Sequence, residues 1–179
     1  MFPRSRHFFR RGTAVSLTAA LAALATTGLT WSASAAPRTG TPARTVPTCT
    51  VGDLHLSLGR KEGAAGSLYQ PIRFTNTGRG SCALRGYPGV SVLDSQHRQI
   101  GPAATRSGRS YATVVLAPGR SASAVMRTTN GPVGGPCEPT GSYLRIYPPA
   151  SYKAVLIPAH WKVCSGTFRV GPVNTQGVF

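Results

Sequence analysis

The chain has 179 residues, 20 Lys and Arg against only 4 Asp and Glu, a formal net charge of +16 at neutral pH, and 41% hydrophobic residues. That hydrophobic share supports a packed core and excludes a disordered polyelectrolyte, while so few carboxylates disfavour chemistry that needs two of them a few ångströms apart across one bond. The 15 Pro and 21 Gly, spread along the whole length, argue against long helices.

Arg4, Arg6, His7, Arg10 and Arg11 precede an uncharged run from Thr13 to Thr30, and the small residues Ser32-Ala33-Ser34-Ala35-Ala36 follow it. A basic start, an apolar stretch and an A-x-A-like end describe a signal peptide over residues 1–36, cleaved after Ala35 or Ala36. The run is near the lower limit of a spanning helix, so an uncleaved anchor is the competing reading. It is rich in Ala and Thr, however, and no cysteine follows it to take a lipid. The expected product is secreted, has no transmembrane segment after cleavage and is at most loosely associated with the cell wall. Residues 37–48, PRTGTPARTVPT, offer only Val46 as a sizeable apolar group and read as a flexible linker. The folded domain is expected over residues 49–179.

Asp53-Leu54-His55-Leu56-Ser57-Leu58 alternates polar and apolar residues, which predicts a half-buried strand with Asp53, His55 and Ser57 outward. Similar patterns follow at Ile72–Thr75, Val90–Val92, Thr113–Leu116, Ala122–Met126, Tyr143–Tyr147, Ala154–Ile157 and Thr167–Val170. Turn signals separate them: Asn76-Thr77-Gly78, Pro88-Gly89, Pro118-Gly119 and Asn130-Gly131-Pro132. About seven to nine short strands at this spacing predict an all-β domain, an immunoglobulin-like antiparallel β-sandwich, with a small barrel as the alternative.

Cys49, Cys82, Cys137 and Cys164 all fall in this domain. In an exported chain an even set of cysteines predicts two disulfides, and sequential pairing, Cys49–Cys82 and Cys137–Cys164, is taken from the three connectivities. Their wide spacing lacks the C-x-x-C knuckles of a zinc site. Trp161, three residues before Cys164, is expected in the core against a disulfide. The tyrosines Tyr69, Tyr87, Tyr111, Tyr143, Tyr147 and Tyr152 read as strand residues with wet hydroxyls.

No catalytic, metal or cofactor-binding residue emerges. Asp53, Glu62, Asp94 and Glu138 lie on separate segments, and His55, His97 and His160 have no H-E-x-x-H spacing. Gly119-Arg120-Ser121-Ala122-Ser123 lacks the last glycine of a serine-nucleophile elbow and runs into a strand. The basic residues are scattered, with Arg60-Lys61 the one adjacent pair beyond the leader, and no stripe of charge interleaved with aromatics is visible along the chain. Specific nucleic-acid binding is therefore not expected.

The segments Gly63–Gly66, Ile72–Gly78, Cys82–Val90 and Leu116–Ala122, with the later Cys137, Pro148-Pro149 and Cys164, resemble a family of exported actinobacterial proteins defined only as a domain of unknown function, DUF4232. The resemblance spans about residues 49–173 and implies an Ig-like sandwich with no assigned activity. Its shared residues have scaffold explanations: Asn76 and Gly78 in a hairpin turn, Cys82 in a disulfide, and Gly86-Tyr87-Pro88-Gly89 as a corner whose tyrosine caps the core. The reading is a non-catalytic extracellular or envelope-associated binding module whose partner is an acidic cell-wall polymer or an extracellular protein. The alternatives are an inhibitor acting through the disulfide-fixed loop Gly131–Pro139 and, less favoured, an envelope hydrolase.

Overall fold

A computed structural model describes residues 45–179. The expected signal peptide and residues 37–44 of the linker lie outside the described residues. Twelve strands follow in chain order: β1 (Leu54–Leu58), β2 (Glu62–Ala64), β3 (Ser67–Asn76), β4 (Cys82–Arg85), β5 (Gly89–Leu93), β6 (Gln99–Ile100), β7 (Thr105–Arg106), β8 (Thr113–Leu116), β9 (Ser121–Thr129), β10 (Gly141–Tyr147), β11 (Val155–Trp161) and β12 (Phe168–Val170). One 3-10 turn, Val51–Asp53, precedes β1. Among the described residues no helix is long and apolar enough to cross a membrane.

The strands form an Ig-like antiparallel sandwich. One sheet runs β1-β3-β9-β12-β7, with β2 added to β3, the other runs β11-β10-β5-β6, and β4 pairs with β8 apart from both. The β7–β12 pair alone among these ladders is parallel. Period-2 alternation supplies the core. Leu54 and Leu56 of β1, Ile72 and Phe74 of β3, and Ala122, Ala124 and Met126 of β9 are buried in one cluster with Val90, Val92, Leu144 and Ile146 of the second sheet. The count exceeds the expected seven to nine because β2, β6 and β7 have only two or three residues each. Runs that short carry no readable period.

Both expected disulfides are present, Cys49–Cys82 and Cys137–Cys164. Each ties segments that also share backbone hydrogen bonds: Cys49 N–H donates to Ala83 O at 2.9 Å, and Glu138 N–H to Val163 O at 2.8 Å. Ala83 N–H in turn donates to Pro47 O at 2.8 Å, so Pro47 and Thr48, read as linker, already belong to the sandwich.

Pro71 lies inside β3, a ten-residue strand of which only Ile72–Thr75 was legible. A strand-interior proline costs a ladder bond unless its nitrogen faces a gap. Here it does. β1 pairs with β3 only as far as Leu58↔Ile72, and β2 resumes at Glu62↔Tyr69. Between them Gly59 N–H donates to Pro71 O at 2.8 Å, and the buried Gln70 side chain donates to Gly59 O at 2.9 Å. The chain therefore bulges at Gly59–Lys61 on the side where proline has nothing to donate.

Gly141 marks another tight approach. A methyl group there would sit 2.2 Å from Val92 Cγ1 and 2.9 Å from the Leu93 carbonyl oxygen, and backbone cannot retreat as a side-chain tip can. Gly141→Ala is expected to destabilise the domain by about 1–3 kcal/mol through overpacking. A urea-unfolding midpoint equal to that of the wild type would contradict this.

Candidate functional site

The residues that carry acid–base chemistry are dispersed. Asp53 is not an outward strand residue, as the alternation suggested, but closes the 3-10 turn before β1, its carboxylate accepting from Thr50 N–H at 2.8 Å and Thr50 Oγ1 at 2.7 Å. Asp94 sits in the β5–β6 turn, accepting from the Gln96 and Arg98 backbone and pairing with the Arg98 side chain at 2.8 Å. Glu62 is on β2, 3.5 Å from Arg60. Glu138 follows Cys137 and lies against Gly101. His55 is on β1, His97 in the Asp94 turn with its ring 4.7 Å from that of Tyr143, and His160 on β11. Among the described residues no three His, Cys, Asp or Glu stand close enough to hold a metal ion.

The Thr50 hydroxyl and backbone N–H hold the Asp53 carboxyl below its ordinary range. A depressed folded pKa stabilises the fold above the unfolded value, about 3.9 for Asp, and that stabilisation is lost as pH falls through the folded value beneath it. Thr50→Val is therefore expected to lower the melting temperature at neutral pH and to leave less stability to lose below pH about 4. A variant whose melting curve stays parallel to the wild type down to pH about 2 would contradict the assignment.

The main concave feature has no counterpart in any linear motif. It is an open cleft of about 670 Å³ on the outward face of the six-stranded sheet. Three arginines reach it from separate segments: Arg60 from the bulge beside Pro71, Arg73 from β3, and Arg109 from the stretch between β7 and β8. Tyr69 and Phe179 supply aromatic wall, their rings edge-on at 5.8 Å, and the Pro71–Val125 pair lies between β3 and β9 at its base. Residues Gly177–Phe179 form one side, fixed by Asn174, whose side-chain nitrogen donates to Val178 O at 2.8 Å, and by Arg109, whose guanidinium donates to Phe179 O. Glu62 is the one carboxylate side chain in the lining. Its contact with Arg60 is exposed, and one carboxylate against three guanidinium groups leaves the lining net positive.

The fold also assembles the alternation of charge and ring that the linear sequence lacks. Arg127 stands over Tyr69 at 6.0 Å, Arg85 over Tyr111 at 5.3 Å, and Arg106 over Tyr87 at 5.7 Å. Tyr87 does not cap the core. It is half-buried, meets the Tyr111 ring edge-on at 5.5 Å and donates its hydroxyl to Arg109 O, which links this cluster to the cleft. Cation–ring contacts at such exposed sites contribute about 0.5–1 kcal/mol each. Their effect is to hold flexible guanidinium groups in place.

Other motifs resolve into scaffold. Asn76 is fully buried and satisfied: Nδ2 donates to Gly80 O at 2.9 Å and Leu116 O at 2.8 Å, while Oδ1 accepts from Gly78 N–H at 2.9 Å. The loop Gly131–Pro139 exposes Val133 and is pinned at its base by the Cys137–Cys164 disulfide and by Ser165 N–H donating to Pro136 O at 2.8 Å. Residues 49–174 match the family model described as "Domain of unknown function (DUF4232)". No curated protein matches the chain.

Proposed function

The chain belongs to the DUF4232 family, a domain of unknown function, and from that premise we propose that it is a non-catalytic binding module that captures an anionic ligand at the arginine cleft. The convergence of Arg60, Arg73 and Arg109 with two aromatic rings around one open cavity carries the reading. Guanidinium forks match the geometry of carboxylate and phosphate oxygens, and a concave arrangement of like charges focuses the field on an incoming anion. The dispersed carboxylates and histidines give the cleft no acid–base pair to act on what it binds.

The setting for such a module is outside the cytoplasm, on the cell envelope. Two disulfides belong to an oxidising compartment, and the signal-peptide pattern of residues 1–36 supplies a route there. An acidic polymer of the envelope is the proposed partner.

The test is retention of the protein on purified cell wall at about 50 and 200 mM salt. Binding at low salt and release at high salt are expected, because contacts between exposed charges are screened over a Debye length of about 10 Å or less. Arg73→Gln and Arg109→Gln should each weaken low-salt binding about tenfold, a loss of ~1.4 kcal/mol per guanidinium. No retention at either salt, or retention indifferent to both substitutions, would overturn the proposal.

A further inference from the structure

Beside the cleft, on the same outward face, Arg127 of β9 and Arg169 of β12 are directly opposed across the ladder. Both side chains point outward, since their neighbours Met126, Thr128, Phe168 and Val170 are buried. Like charges directly opposite on adjacent strands destabilise a sheet. The ion pairs among the described residues, Arg60–Glu62 and Arg98–Asp94, involve neither arginine. Arg127 is nevertheless held in place, its Nε donating to Ser67 Oγ at 3.0 Å and its guanidinium lying over Tyr69. Two arginines on opposed positions, one of them held in place and neither in an ion pair among the described residues, form a clamp for an oxyanion.

The register sets the spacing of this clamp from the cleft. Arg127 pairs with Tyr69, and Arg73 lies four residues further along β3, which at about 3.3 Å per residue is roughly 13 Å. Arg127 is moreover held toward Ser67, on the far side of Tyr69 from Arg73, so its guanidinium does not lean back toward an anion seated at Arg73. Tyr69, level with Arg127 in the register, and Phe179 both line the cleft, and their rings are engaged edge-on with each other. They are not a free platform on which bases could stack.

We infer that the ligand of the cleft is a linear polymer of repeated oxyanions, phosphate or carboxylate, which runs from Arg73 and Arg109 past Tyr69 to the Arg127–Arg169 pair. This rests on the anion-binding reading of the cleft and adds to it the form of the ligand and a second contact point. Binding also relieves the repulsion between Arg127 and Arg169, so the ligand stabilises the sheet it lies on.

The experiment measures affinity of the full chain for long-chain polyphosphate, polygalacturonate, inorganic phosphate and a single-stranded oligodeoxynucleotide at several salt concentrations. The variants are Arg73→Gln, Arg169→Gln and Arg127→Gln/Arg169→Gln. One or both of the first two polymers should bind, their ranking identifying the oxyanion, and inorganic phosphate at equal phosphate concentration should not displace them. The double variant should bind at least tenfold more weakly, and its slope of log affinity against log salt should fall by about two, one per lost contact. At low salt Arg169→Gln alone should melt no lower than the wild type, because it removes repulsion without touching the Ser67 contact, and it should lose about one unit of slope.

If the wild type binds neither polymer, the cleft reading itself fails. If it binds and Arg73→Gln weakens it, while the double variant keeps wild-type affinity and slope, the cleft stands and this inference is overturned. Tighter binding of the oligonucleotide than of either polymer also overturns it.

Discussion

Reduction of the two disulfides is expected to unfold the protein near physiological temperature. Cys49–Cys82 and Cys137–Cys164 close loops of 33 and 27 residues in sequence separation. In the chain-entropy account each removes about 3.5–4 kcal/mol of freedom from the unfolded chain, against a typical net stability of about 5–15 kcal/mol. Loss of both therefore takes most or all of the margin. Cys49→Ala/Cys82→Ala and Cys137→Ala/Cys164→Ala should each cost about 3–4 kcal/mol. Thermal unfolding with and without reductant checks this, and a melting temperature indifferent to reductant would show that the sheets stand alone.

Trp161→Ala is the second large effect. Trp161 ends β11, has 0% of its surface exposed and lies against Phe168, ring centroids 6.1 Å apart, with the Lys61 ammonium 5.6 Å from its own centroid. Truncating so large a buried ring leaves a cavity that the two sheets cannot close, at a cost of about 3–5 kcal/mol. Trp161→Phe should cost much less. The indole N–H is buried with no hydrogen-bond partner among the described residues, so its removal strands no acceptor. Equal losses for the two variants in denaturant unfolding would contradict the packing account.

Lys61 also connects this core residue to the site. It donates to His160 O on β11, while its neighbour Arg60 reaches the cleft on the other side of the bulge. A single proline thus has a long consequence: the break at Pro71 lets Gly59–Lys61 leave the ladder, which places one cation over the core tryptophan and the next in the cleft. Gly59 is required at that point, since a side-chain carbon there would stand 2.5 Å from Pro71 Cγ.

Where residues alternate cleanly, the fold could be read in advance. β1 kept its leucines inward and His55 outward, and β8 coincided with the expected Thr113–Leu116. The even cysteine set behind a signal-peptide pattern pointed to two disulfides, and of the three connectivities the sequential one is present. The alternation misled at Asp53, because a turn-closing carboxylate and a strand's outward polar residue look alike in one dimension. β4, Cys82–Arg85, was obscured differently, being four residues long with only Arg85 exposed, whereas β5 extends the expected Val90–Val92 by one residue at each end.

The cleft was illegible for a topological reason. Arg60, Arg73 and Arg109 are far apart in sequence, as are Tyr69 and Phe179, and singlet charges carry no local pattern. Only the pairing of β3 with β9 and the return of the chain's last residues across that pair bring them together. Along the chain the basic residues are scattered, with Arg60-Lys61 the one adjacent pair beyond the leader. The clustering is across strands.

The most direct measurement is an amide chemical-shift map of the full chain titrated with the polyanion that binds most tightly. The account predicts saturable shifts concentrated at residues 59–73, 109, 123–127, 169 and 177–179, abolished by high salt. Shifts centred instead on the outward face of β10 and β11, or on the loop Gly131–Pro139, would contradict it.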